Sequence, residues 1–158
     1  MDRTMCSTQW RRLPAPLRNL LAMAAALLCA AAQAPASQTA AGSWEEDTSN
    51  ALRHRREGRL AEAAEAYRAA LARVDTPESL DPRLPSTLNN YASLAQEAGR
   101  GDEAAALYER AIEAWARIEG AEGMNLSVTL NNLAELHRTG GRYREARPLY
   151  ERAIAIRE

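Results

Sequence analysis

Lysine and phenylalanine are missing from this chain, and histidine and cysteine are scarce. Without lysine, all 20 basic residues are arginine, set against 21 acidic ones for a formal net charge of −1. That balance lacks the basic field expected of a nucleic-acid partner. The arginine-only usage reads as composition bias, not chemistry. Histidine stands only at 54 and 137, with no second His or Cys at ligand spacing, so no metal site is expected. There is no GxxxxGK phosphate loop, and Gly140-Gly141-Arg142 reads as a turn between helices. No motif frames a serine as a nucleophile. Carboxylate pairs such as Glu45-Glu46 read as solvated helix surface. Asn125-Leu126-Ser127 fits a glycosylation sequon by pattern alone. The expectation is a protein that is not an enzyme, with no catalytic residues, no cofactor and no metal.

Both cysteines, Cys6 and Cys29, fall in the first 30 residues, which have the layout of a secretory leader. Arg3, Arg11, Arg12 and Arg18 form a positive start, Leu20 to Ala32 is an unbroken apolar run of 13 residues, and small residues follow. A span needs about 20 apolar residues, so the run is short for a membrane helix. Cleavage is expected after Ala36, or after Ala32; an uncleaved anchor or a misplaced start codon are the alternatives. Leu28 before Cys29 does not suit a lipoprotein signal, and Trp10 before Arg11-Arg12 does not suit a twin-arginine one. Residues 1–36 hold four Arg and one acid, so the mature chain has 16 basic and 20 acidic residues, a net of −4, and no cysteine. A chain with no thiol suits a periplasmic or secreted location, and no membrane span is expected in it. Residues 37–43, small and polar, read as a flexible linker.

Strand formers are few, while Ala, Leu, Glu and Arg are abundant, which favours an all-α protein. The chain then repeats itself. The string LNNYASLAQEAGRGDEAAALYERAIEA from Leu88 aligns with LNNLAELHRTGGRYREARPLYERAIAI from Leu130 at an offset of 42 residues, and EGRLAEAAEAYRAALA is an earlier copy at an offset of 41. Three units of about 44–80, 81–122 and 123–158 are expected, each a pair of helices around a Gly turn. Leu84, Leu88, Tyr91, Ala92 and Ala95 share one helix face, as do Leu107, Tyr108, Ala111, Ile112 and Trp115. Gly99 and Gly141 should end helices in the left-handed region, and Asp102 should cap the helix after Gly99. Ala92, Ala104, Ala134 and Ala146 mark close helix approach. Pro148 should bend its helix without breaking it.

These strings resemble the tetratricopeptide repeat (TPR), in the 42-residue variety found in kinesin light chains and many bacterial proteins. The resemblance covers residues 44–158 and is strongest for units two and three. It implies a right-handed α-solenoid of antiparallel helix pairs whose first helices line a concave groove for a peptide or partner protein. It also implies an aromatic two residues after the turn Gly, kept by Tyr143 but not by Leu60 or Gly101. Unit two should therefore pack less tightly there. Asn89, Asn90, Asn131 and Asn132 match the paired asparagines that face such a groove. An Asn amide carries donors and an acceptor and can bond the backbone of an extended peptide whatever its sequence. Ser93 and Glu135, then Gln96 and Arg138, should share that face one and two turns on, with Ser86 and Val128 beginning it. The alternative is that one Asn of each pair bonds between units and only holds the stack together.

The expected function is thus a protein-interaction scaffold outside the cytoplasm. The chain stops at Ile154-Ala155-Ile156-Arg157-Glu158 with no polar capping helix. Two further readings follow: a repeat module at the front of a larger signalling or peptidase-type protein, or a homo-oligomer that continues the array through the uncapped C-terminal pair.

Overall fold

The computed structural model describes residues 42–158. The expected leader and most of the linker lie outside the described residues. Six helices follow one another: α1 (Trp44–Arg56), α2 (Leu60–Val74), α3 (Arg83–Glu97), α4 (Gly101–Glu119), α5 (Met124–Thr139) and α6 (Tyr143–Ala155). Among the described residues there is no strand. The helices pack as three pairs, α1 on α2, α3 on α4 and α5 on α6, joined where α2 meets α3 and α4 meets α5. This is an all-α repeat fold.

The helix boundaries have local causes. Ser43 caps α1, its side chain accepting from the Glu46 amide at 3.1 Å. Glu45, Glu46 and Asp47 crowd the positive end of the helix, and Arg53, Arg55 and Arg56 the negative end. Within each pair the chain turns at a glycine with positive φ: Gly58 at 73°, Gly99 at 73° and Gly141 at 74°. At each turn the amide three past the last helical residue reaches back five residues, as in Arg100 N to Ala95 O at 2.9 Å and Arg142 N to His137 O at 2.8 Å. This closure satisfies the last carbonyls and throws the chain straight into the next helix.

That economy overturns one expectation. Arg100, not Asp102, stands at the cap position of α4 and makes no side-chain cap bond. The turn closes so tightly that the helix has already begun at Gly101, and Asp102 falls in its solvated first turn. Tyr143 differs too: it is 67% exposed, so the aromatic after the third turn Gly adds no packing, whereas the aliphatic Leu60 leans on the core. α6 runs through Pro148 without a break.

Alanine sets the spacing within pairs. Ala51, Ala92 and Ala134 on the first helices are 0% exposed, facing Ala63, Ala104 and Ala146 at 0%, 0% and 3% on the second. A longer side chain at any of them would push the pair apart. Between pairs the core is continuous: one cluster runs from Ala51 through Leu71, Leu88 and Leu107 to Leu136, and a second joins Trp115, Leu126, Leu130 and Ala153. Each pair borrows apolar surface from its neighbour, the physical reason such units stack. Among the described residues no helix is long and apolar enough to cross a membrane.

Candidate functional site on the first helices

Two of the three first helices, α3 and α5, carry the residues expected to meet a ligand. The stack is tied along this side by polar bonds between units. Trp44 Nε1 donates to Thr87 Oγ1 at 3.0 Å, and the Arg83 guanidinium sits 5.5 Å from the Trp44 ring centre. Arg55 of α1 forks onto α3, donating to Glu97 at 2.9 Å and to Ser93 Oγ at 3.0 Å. Between α3 and α5, Asn132 Nδ2 donates to Asn89 Oδ1 at 3.0 Å.

The asparagines therefore divide. The second Asn of unit three bonds the first Asn of unit two. In unit one the corresponding first position is Thr48, whose hydroxyl turns back to the carbonyls of Trp44 and Glu45 at 2.9 and 3.1 Å. Asn90 consequently has nothing to pair with on that side and is exposed, and Asn131 is half-buried. Among the described residues, neither the Asn90 nor the Asn131 side chain has a hydrogen-bond partner. Asn89 keeps its amide donors, and Asn132 keeps its acceptor.

The other expected groove residues are also sorted. Ser93 is occupied by Arg55. Glu135 and Arg138 bond each other at 2.8 and 2.5 Å, and Tyr150 donates to Glu135 Oε2 at 2.8 Å. Arg138 first, then Tyr150, hold the Glu135 carboxyl down to about 2. Gln96 lies at the other end of the helix, beside Gly99, Gly101 and Gly140 in a hollow of about 290 Å³ between the turns.

A cleft of about 240 Å³ opens where α3 and α5 diverge, lined by Ser86, Asn89, Asn90, Asn125, Val128 and Thr129, with Trp115 of α4 at its base. Thus Asn89 and Asn90 border a common space with Ser86 and Val128, while Ser93, Gln96, Asn131, Asn132, Glu135 and Arg138 are not part of its lining. Asn125, Thr129 and Trp115 were not expected at the groove from the sequence. Asn125 and Thr129 share the helical stripe of Val128 and Asn132, so spacing alone could have found them. Trp115 could not be placed without knowing how α4 underlies the two first helices. Ser86 and Thr129 donate their hydroxyls to the Pro82 and Asn125 carbonyls and Asn125 donates to Glu119, which leaves the Asn89 and Asn90 amides as the polar groups the cleft offers beside Trp115. Among the described residues no three His, Cys, Asp or Glu side chains gather as a metal cluster.

Residues 83–158 match the tetratricopeptide-repeat family model. The fold is similar to the crystal structure of BtubC (BKLC) from P. vanneervenii, at 28% identity and a TM-score of 0.62, over 71% of this chain and 44% of that one. It is also similar to a putative kinesin light chain from Podosopora anserina described as having nearly identical TPR-like repeats, at 25% identity and a TM-score of 0.61, over 71% of this chain and 54% of that one. The chain thus spans about half the length of these structures. No curated protein matches it.

Proposed function

Since residues 83–158 belong to the tetratricopeptide-repeat family, whose arrays are protein-interaction scaffolds, we propose that the α3–α5 cleft binds an extended peptide segment of a partner protein outside the cytoplasm. The observation that carries this is the division of the asparagines. Asn89 and Asn132 brace the stack, while Asn90 at the cleft and Asn131 hold amides with no internal bond. Left in water such an amide gains nothing for the fold; over a peptide it can bond a passing N–H and C=O. Support for the location comes from the leader-like start of the chain and the lack of any cysteine after Cys29.

Random peptides displayed on phage and selected on the full chain provide the test. Peptides so captured should bind the double variant Asn90→Ala with Asn131→Ala at least about tenfold more weakly, with its melting temperature unchanged. Asn89→Ala with Asn132→Ala should instead lower the melting temperature. Undiminished capture by the first pair would refute the reading. Export is checked by sequencing the start of the protein recovered outside the cytoplasm, which should begin at Ser37 or Gln33.

A further inference from the structure

A second groove, of about 420 Å³, lies between the second helices α4 and α6, over α5. Its floor is apolar, from Ile112, Leu133 and Leu149, and Glu109, Glu113 and Glu145 stand around it. It shares no lining residue with the cleft above and stands or falls independently of it.

The protein itself shows how such a groove is closed. One unit earlier, the positions of Glu109, Leu133 and Glu145 are held by Arg68, Tyr91 and Glu103. Tyr91 is 5% exposed, and its ring packs against Tyr67 with centroids 6.0 Å apart. Its hydroxyl donates to Glu103 Oε1 at 2.8 Å and accepts from Arg68 Nε at 3.2 Å. Cation, phenol and carboxylate complete one another, and the space is full. In the later groove the tyrosine has become Leu133 and the arginine has become Glu109, while the carboxylate is kept as Glu145. A ring-sized volume is emptied, and the charge that balanced the carboxylate is inverted. Among the described residues Glu109, Glu113 and Glu145 form no ion pair. Against these three carboxylates the groove holds one cation, Arg152, and His137, whose Nδ1 already accepts from Arg142 at 2.9 Å.

Pro148 adds to the case. It lines the same groove from the interior of α6, where it removes an amide and leaves the Arg144 carbonyl without its helical donor. The corresponding residue of α4 is Ala106, so the repeat does not require a proline. Positions that break a local rule without helping the fold tend to serve a function.

We propose that this groove seats an arginine side chain on a peptide segment of a partner protein. The aliphatic stem lies on Leu133 and Leu149 in the volume that Tyr91 fills one unit earlier. The guanidinium faces Glu109 and Glu145, supplying the cation that Arg68 supplies there. Arginine fits better than lysine because its flat fork of donors can serve two carboxylates while its weakly hydrated face rests on apolar surface.

The full chain is titrated with a fluorescent, end-blocked Ala-Leu-Arg-Leu-Ala peptide and with its citrulline counterpart, which keeps the shape and loses the charge. The arginine peptide should bind, more weakly as salt is raised, and the citrulline peptide at least about tenfold less tightly. Glu109→Arg with Leu133→Tyr rebuilds the closed arrangement already present one unit earlier and should remove binding while the melting temperature holds. Glu109→Gln with Glu145→Gln alters only exposed carboxylates and should weaken binding by about tenfold or more, whether or not the rebuilt variant folds. Equal binding of the citrulline peptide, equal binding of a lysine peptide, no binding of the arginine peptide, or binding indifferent to the Gln pair would each overturn the proposal. So would a dimer of the chain, seen by light scattering, that the Gln pair dissociates, since the occupant would then be a second copy.

Discussion

Tyr67→Phe is expected to make the protein more stable, against the usual direction for a core substitution. Tyr67, Tyr108 and Tyr150 are equivalent residues of α2, α4 and α6, each reaching toward the first-helix position just after the spacing alanine. Those positions are Leu52, Ser93 and Glu135. Tyr150 donates to Glu135 at 2.8 Å, and Tyr108 reaches Ser93. Tyr67 meets a leucine. Its hydroxyl is buried without a hydrogen-bond partner, beside an Arg55 whose Nε and Nη2 are directed to Glu97 and Ser93. Burial pushes its ionisation up, outweighing the nearby Arg55 guanidinium, which pulls it down but stands outside hydrogen-bonding geometry to the hydroxyl. An unsatisfied buried polar group costs about 1–3 kcal/mol, and phenylalanine removes it while keeping the ring stacked on Tyr91. The gain should be about 1 kcal/mol or more, or roughly 3–6 °C in melting temperature for a domain of this size. Circular-dichroism melts of Tyr67→Phe and Tyr150→Phe beside the parent chain provide the assay. The first should rise and the second fall. A fall for Tyr67→Phe would mean that Arg55 bonds the hydroxyl after all and would refute the argument.

Adjacent glycines should respond with opposite signs. Gly141→Ala, at φ 74°, should cost about 1–2 kcal/mol from backbone strain alone, since a Cβ there meets nothing within 4 Å. Gly140→Ala, at φ −79°, should be neutral or stabilise by about 0.5 kcal/mol through the unfolded chain. Urea melts measure both. Glu135, held to about 2 in the fold against an ordinary 4.5, should contribute stability that is full above about pH 4.5 and fades as pH falls toward 2. Arg138→Gln should move its carboxyl titration, followed by NMR, back up toward 4.5, and an unmoved midpoint would show that the Arg138 pairing does not set it.

What the sequence made legible was whatever the units share. Glycine at each turn, alanine at each close approach and leucine down each stripe recur because each unit meets the same local demand, so period, helices and core could be read from one chain. Repetition is also what misled. A helix after a glycine turn suggested an acidic cap at Asp102, but the closure that ends one helix starts the next, leaving Arg100 in that place. Which asparagine of each pair would brace the stack stayed open for the same reason. Their roles depend on the neighbour across the unit boundary, some 43 residues away, and no periodicity within a unit encodes it.

The informative residues are therefore those where units differ at a shared boundary position. Thr48 in place of an asparagine spends its hydroxyl on its own helix, and that one difference frees Asn90. Leu52 in place of Ser93 or Glu135 strands the Tyr67 hydroxyl. Leu133 and Glu109 in place of Tyr91 and Arg68 open a groove where the preceding unit is sealed. Each change leaves the fold intact because spacing alanines and turn glycines carry it, so the boundary positions are free to vary. A repeat array can thus acquire binding surfaces without new elements, by leaving unfilled in one unit a contact that its neighbour completes.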